Sequence, residues 1–256
     1  MELAHSLHHE YDVIGSKRRL HAQLPFQFYR LDFRDRSTLA VLPKLMDADY
    51  LILNIPPSSA AENVRDNYHQ MLDLVIDRAK NSPLKRLIFI SSTGVFGGNS
   101  GIVHEFTKPI PAAISGKVLR EAEEEVLKLS NIEPVVLRPA GLVGGQRHPA
   151  NYLAGRKNVK GQHQVVNLVH RDDLVTSVKA LIKRRKLPGD IFHACSSQHP
   201  NKKEFYQRVA IKLGIEPPVF DQNDMNTGKE ISSDWSKQCL GISYKFEDPF
   251  TMHQAV

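Results

Sequence analysis

The chain has 256 residues, which suits one α/β domain or one domain with a small added lobe. Lys and Arg (34) exceed Asp and Glu (28) by a modest margin, and the excess is scattered. That balance argues against a nucleic-acid surface and leaves an anionic ligand or ordinary solubility. Residues 1–20 are polar and histidine-rich, no apolar run approaches the ~20 residues of a bilayer span, and the two cysteines, Cys195 and Cys239, show no metal-ligand spacing. The expectation is a cytoplasmic protein with reduced thiols and no metal, membrane or nucleic-acid partner.

Strand-like and helix-like stretches alternate. Residues 11–16 (YDVIGS) and 26–31 (FQFYRL) read as strands, 36–46 as a short helix, and 50–55 (YLILNI) as a nearly continuous apolar strand stopped by Pro56 and Pro57. Over 60–80, Tyr68, Met71, Leu72, Val75, Ile76 and Ala79 share one helical face. A buried strand follows at 87–91 (LIFIS), then a Gly-rich loop, a helix from about residue 111 to 130, and a strand at 134–137. Residues 140–162 are loop-rich. After them come a strand at 165–169, a helix at 172–183 ending in a basic run, a strand at 191–195, a helix at 202–213 and a mixed tail. This alternation predicts a doubly wound parallel sheet, with ligands met beyond the C-terminal ends of the strands. The expected organisation is a Rossmann-type domain over 1–139 and a segment, 140–256, that adds late strands and a small substrate lobe.

Several stretches in order, YLILNIPPS, KRLIFISSTGVFGGNSGIVHE, VVLRPAGLVGG, VVNLVHRDDLV and GDIFHACSSQHPNKKEFYQRVAIKLG, resemble the extended short-chain dehydrogenase/reductases, in particular their atypical epimerase/dehydratase-like members. The resemblance covers nearly the whole chain. It implies a nicotinamide dinucleotide cofactor and a small-molecule substrate, in a monomer or homodimer. It also implies an opening strand and glycine-rich turn that this sequence lacks. The expectation is therefore that Met1 is internal to a longer reading frame, because the absent strand would otherwise leave buried backbone groups without partners.

By position in that family, Ser92 of SSTGVFG hydrogen-bonds the reacting oxygen, a task a neutral hydroxyl can perform because it both donates and accepts. Thr93 and Phe96 would line the substrate side. The alternative reading is that Ser91 and Ser92 simply end a strand. The family's tyrosine precedes a glycine and is followed four residues later by a lysine. Alignment on Gly116 and Glu123 puts Ser115 at the tyrosine and Leu119 at the lysine. Neither supplies a phenolic proton or a cation. Lys117 lies about 200° around the helix from Leu119. His104, Glu105, His148 and His170 are the other groups able to carry a proton, among twelve histidines in all. His104-Glu105 reads equally well as a solvated loop pair.

For the cofactor, Lys17 and Arg18 follow the first strand where NAD-specific folds carry an acid, so NADP is the expected partner, with NAD the other candidate. A basic surface turn is the competing reading. Asp32 and Phe33 would meet the adenine by resemblance, although Asp32 can equally cap the next helix. Ile55, Pro56 and Pro139 would lie along the cofactor. Arg147, Asn167 and His170 are the expected substrate-side residues, and Asp172 or Asp173 the expected cap of the following helix. The resulting expectation is an NADP-linked oxidoreductase or epimerase-like protein acting on a small sugar-derived or anionic substrate. The alternative is a non-catalytic cofactor sensor or scaffold that kept the fold and lost the Tyr/Lys chemistry.

Overall fold

A computed structural model describes residues 2–19, 25–57, 63–145 and 148–254. In chain order its elements are α1 (Glu2–His8), β1 (Ile14–Lys17), β2 (Gln27–Arg30), a 3-10 turn (Arg36–Val41), α2 (Leu42–Met46), β3 (Tyr50–Leu53), α3 (Val64–Lys80) and β4 (Arg86–Ile90). Next come a 3-10 turn (Thr93–Phe96), β5 (Gly101–Val103), α4 (Ile114–Leu127), β6 (Glu133–Pro139), β7 (Gly141–Val143), α5 (Ala150–Leu153), β8 (Leu168–His170) and α6 (Arg171–Lys183). The chain closes with β9 (Ile191–Ala194), α7 (Lys202–Lys212), β10 (Lys229–Ile231), α8 (Asp234–Leu240) and a last 3-10 turn (Pro249–Gln254). These form two compact units, Met1–Ile90 with Glu121–Val136, and Ser91–Arg120 with Leu137–Val256.

In the first unit, β1 pairs with β2 in parallel from Ile14↔Gln27 to Lys17↔Arg30, and β3 pairs with β4 in parallel from Tyr50↔Arg86 to Leu53↔Phe89. A side chain at Gly15 would stand 2.4 Å from the Phe28 ring, so the glycine is what lets that ring lie across β1. β4 is buried at every position, as its apolar run requires. On its far side it meets the start of β6, where Glu133 N–H donates to the Lys85 carbonyl (2.9 Å). There the buried Arg86 guanidinium donates through Nε to Glu133 Oε2 at 2.7 Å. By contrast, Ile14, Leu51 and Ile52 are only half-buried, and Tyr50 is exposed. Among the described residues, β1 has only β2 beside it and β3 only β4. α3 buries Tyr68, Met71, Leu72, Val75 and Ala79, the face its 3/4 spacing predicts. Ile76, expected on the same face, is only half-buried.

The second unit is also built on parallel pairs. β7 runs beside β8 (Gly141↔Leu168 to Val143↔His170), and β5 beside β10 (Gly101↔Lys229 to Ile231↔Val103). The end of β6 meets β9 through Ala140 N–H to the Ala194 carbonyl (2.9 Å). The core here gathers Val143, Ala150, Val166, Leu168, Phe205, Val209, Phe246 and Met252. Two polar clamps complete it. Asn167 donates through Nδ2 to the Lys229 carbonyl (3.0 Å) and accepts from Ile231 N–H (2.7 Å), pinning β10. Asp173, 2% exposed on α6, accepts from Lys245 N–H (2.8 Å) and Phe246 N–H (3.0 Å), while Ser177 and the Tyr244 hydroxyl share a 2.7 Å bond. The parallel α/β architecture is the Rossmann-type class that the strand–helix alternation predicts.

The Asp173 clamp satisfies two backbone donors at once, and a methyl group in its place leaves both without an acceptor. Asp173→Ala is expected to destabilise the fold by about 2–4 kcal/mol, since each buried donor left unmade costs roughly 1–3 kcal/mol. Urea unfolding would register this as a lower midpoint at unchanged slope. An unchanged midpoint would mean that Lys245 and Phe246 are not held in this way.

Candidate functional site

In the first unit the expected cofactor residues follow strand ends. Lys17 closes β1 and lies 5.8 Å from the centre of the Phe28 ring. Arg18 and Arg19 continue from it, exposed. The ladder extends one step further, with Leu31 N–H on the Lys17 carbonyl (2.9 Å), and this sets Asp32 near Arg18. Asp32 does not cap the 3-10 turn that follows. Asp35 does, accepting from Ser37 N–H (3.2 Å) and Ser37 Oγ (2.6 Å). Asp32 is instead gripped by Arg34, whose Nε donates to Oδ1 (3.0 Å) and Nη2 to Oδ2 (2.9 Å). Those bonds pull the Asp32 carboxyl down to about 2, and the positive charge of Arg18 acts in the same direction. Phe33 is half-exposed beside it. The result is one carboxylate paired with Arg34 and felt by Arg18, with Lys17 and Arg19 exposed on either side of Arg18 in the chain, a run of positive charge that attracts anions. Further on, the Ile55 carbonyl accepts from the Tyr68 hydroxyl (2.7 Å), and Pro56 is exposed.

In the second unit Ser92 has extended backbone (φ −160°, ψ 149°) and caps the Thr93–Phe96 turn, its Oγ accepting from Gly94 N–H at 3.0 Å. The hydroxyl hydrogen is left free to donate. Thr93 is buried, and Phe96 is fully buried against the His193 ring (5.4 Å between centres), with the Arg138 guanidinium 5.0 Å from its own centre. A Cβ at Gly116 would stand 2.7 Å from the Gly94 carbonyl oxygen. That glycine therefore lets the first turn of α4 close onto the Gly94 carbonyl, with Ser115 the residue before it in the chain. Leu119 is buried and Lys117 exposed, so the aligned lysine position holds an apolar side chain.

Of the other proton-carrying candidates, Glu105, His148 and His170 are occupied elsewhere. Glu105 is not a solvated loop acid. It is 3% exposed, and its Oε1 accepts from Ser236 N–H (3.2 Å) and Oγ–H (2.5 Å), fastening the loop after β5 to α8. His104, its neighbour, is exposed. His148 accepts from Ala150 N–H through Nδ1 (3.1 Å). His170 is fully buried and caps α6, with Nδ1 accepting from Asp172 N–H (3.2 Å); neither Asp172 nor Asp173 is that cap. Asn167 spends its amide on β10, as described above. Pro139 closes β6, buried. Arg147 lies outside the described residues. Sequence spacing missed the roles of Glu105 and Asp173, because their partners are far away in the chain.

The comparisons with known proteins agree with this architecture. Residues 2–194 match the family described as NAD dependent epimerase/dehydratase. Protein YeeZ of Escherichia coli (strain K12) is 38% identical over 213 residues, covering 82% of this chain and 76% of its own length. Two solved structures share the fold. The UDP-glucuronic acid 4-epimerase of Bacillus cereus, in complex with NAD, superposes with a TM-score of 0.80 at 18% identity, over 99% of this chain and 92% of that one. The ADP-L-glycero-D-manno-heptose-6-epimerase of Helicobacter pylori gives 0.78 at 16% identity, over 98% and 90%. A β1-to-β10 frame of parallel strands, a Ser92 turn closed by Gly116 and a family match over three quarters of its length carry one conclusion: the chain belongs to the NAD-dependent epimerase/dehydratase family.

Proposed function

We propose that the protein binds NADP in preference to NAD and acts as an oxidoreductase or epimerase on a small sugar-derived or anionic substrate. The observation that carries the cofactor half is the cationic cluster after β1 and β2. Lys17 and Arg18 supply the charge suited to a 2′-phosphate, and Arg18 the planar fork that grips one bidentately. Asp32 and Phe33 fit the adenine end, and the chain past Ile55 and Pro56 offers apolar contact along the dinucleotide. When bound, such a cofactor supplies a hydride donor or acceptor at its nicotinamide ring. Family membership and the NAD complex of the Bacillus cereus enzyme support a nicotinamide dinucleotide as the cofactor, and the preference for NADP rests on Lys17 and Arg18 alone.

For the substrate half, Ser92 orients the reacting oxygen. Its Oγ already accepts from Gly94 N–H, which fixes the side-chain rotamer and leaves the hydroxyl hydrogen free to be donated. Ser115 offers a second hydroxyl, not an acid: no neighbouring base is found for it among the described residues, and an aliphatic hydroxyl does not ionise near neutral pH. Thr93 follows Ser92 in the same turn and stays on the proposed substrate side, whereas Phe96 and His170, both fully buried, and Asn167, whose amide holds β10, serve the fold behind it. Proton transfer then falls to a group on the substrate or to water held by Ser92.

A second reading rests on Leu119. A buried leucine where related enzymes carry a cation favours a protein that binds the dinucleotide and reports on it without turning over.

Calorimetric titration separates these readings. Tight NADPH binding, weaker NADH binding and a loss of at least tenfold in NADPH affinity for Arg18→Glu are expected, a factor of ten being about 1.4 kcal/mol. Equal affinity for the two nucleotides would remove the NADP preference, and binding of neither would remove the cofactor reading altogether. Bound NADPH that never exchanges its hydride with a panel of nucleotide sugars would select the non-catalytic reading.

The Asp32 carboxyl provides a pH test of the same cluster. Carbon-detected NMR is expected to find it titrating at about 2, against 3.8 for an unperturbed aspartate. Because the folded value is the lower, its contribution is complete above about pH 4 and disappears as pH falls through 2. In Arg34→Gln the titration should return most of the way to the ordinary value. If it stays low, the Arg34 grip is not its cause.

A further inference from the structure

His170 is the least ordinary titratable group in the second unit. Its ring is 0% exposed at the junction of β8 and α6. Nδ1 accepts the Asp172 N–H (3.2 Å), which fixes the tautomer, since a nitrogen that accepts cannot carry the proton and Nε2 must. Nε2 is buried and finds no hydrogen-bond partner among the described residues. It faces Gly144, where a Cβ would stand only 3.2 Å away. The Phe246 ring covers the imidazole at 3.9 Å between centres. Phe246 belongs to the segment whose backbone N–H groups Asp173 holds two residues into α6. One turn of helix thus carries both the cap made by His170 and the clamp that anchors the 244–246 segment.

We propose that His170 is a proton-operated latch: in its neutral form it caps α6 and keeps the 244–246 segment seated, and on protonation it releases both. A proton on Nδ1 removes the acceptor and places two N–H groups face to face. The cation's nearest alternative is Asp172 Oδ2, 3.7 Å from Nδ1, and reaching it means abandoning the Asp172 N–H. Among the described residues the charged groups around the ring are few. Asp172 and Asp173 favour the cation, Arg171 on the same turn and Lys245 on the seated segment oppose it, and burial outweighs them all, holding the imidazole below its ordinary value of 6.5. From the Gly144–Gly145 turn no side chain intervenes. A folded value below the unfolded one means that the latch is fully closed above pH 6.5 and loses its hold as pH falls. Burial raises the Asp173 carboxyl, against the lowering effect of its two bonds to the segment, so on acidification Asp173 favours the seated form and the release has to come from His170.

The experiment follows amide hydrogen-exchange protection of Asp172, Lys245 and Phe246 from pH 7.5 to 4.5, together with the ring nitrogen shifts of His170. In the wild type, the Nε2-protonated tautomer is expected at pH 7.5. Protection should then fall by about tenfold for each pH unit below 6.5 until the folded-state titration is reached. His170→Asn keeps a good helix cap but cannot titrate, so its protection should be flat over the range where the wild type falls. His199, also held low by burial, is intact in that variant, so an equal fall in His170→Asn would assign the effect to a group other than His170 and overturn the proposal. The proposal also fails, whatever the variant does, if the wild-type protection does not change with pH or if the ring carries its proton on Nδ1 at pH 7.5.

Discussion

A strand buried on both faces has to satisfy its backbone through its two edges, because neither face offers water. β4 meets this requirement most completely, with β3 along one edge and the start of β6 along the other, and its five residues are all buried. Parallel pairing then dictates where chemistry can occur. The strands of a parallel pair end at the same edge, and each must hand the chain to a loop there. The chain leaves β1 at Lys17 for Arg18, β2 at Arg30 for Asp32, β3 at Leu53 for Ile55, β4 at Ile90 for Ser92, and β8 at His170 for α6. Every expected site residue except Ser115, Asn167 and Arg147 stands at the C-terminal end of a strand or in the few residues after it, as the topology of such sheets requires.

The polar groups of the second unit divide between two tasks. Apart from the exposed His104, the proton-carrying candidates are committed to holding the backbone: Glu105 fastens the loop after β5 to Ser236, Asp173 holds Lys245 and Phe246, His148 accepts from Ala150 N–H, and His170 caps α6. Serving as an acceptor for a buried N–H is incompatible with picking up a proton at the same atom. The groups left near the Ser92 turn are hydroxyls, which orient an oxygen well and protonate it poorly. Gly116 preserves the close approach of α4 to that turn even though no acid stands before it. A hydroxyl held by a backbone N–H suits orientation better than acid catalysis, and this is why orientation is the role proposed for Ser92.

The long elements were legible in the sequence because their patterns repeat. The face of α3 from Tyr68 to Ala79 spans three turns, and the apolar runs at 50–55 and 87–91 contain β3 and most of β4, each within two residues of its observed ends. What stayed hidden is short or distant. β5 and β10 have three residues each and pair across more than a hundred positions, so no alternation could announce them. The strand expected at 165–169 appears three residues later, as β8, because Val165 and Val166 pack and pair with the 200–201 region instead. The cap of α6 was expected on an aspartate, the usual choice, but the imidazole of His170 reaches the same N–H, and this leaves Asp173 to serve a segment seventy residues away. Arg34 was overlooked beside Asp32 because two residues adjacent along a turn carry no periodic signal, although their pairing sets the charge of the proposed adenine end.

The cationic cluster after β1 is where this account is most exposed, and phosphorus NMR of bound NADPH tests it without relying on turnover. A free phosphate monoester gives up its second proton at about pH 6. Set against Lys17 and Arg18, the 2′-phosphate of the bound nucleotide is predicted to titrate clearly lower, since neighbouring cations stabilise the dianion. A bound nucleotide whose 2′-phosphate titrates as it does free in solution would contradict the account, because the cluster would then not be what holds it.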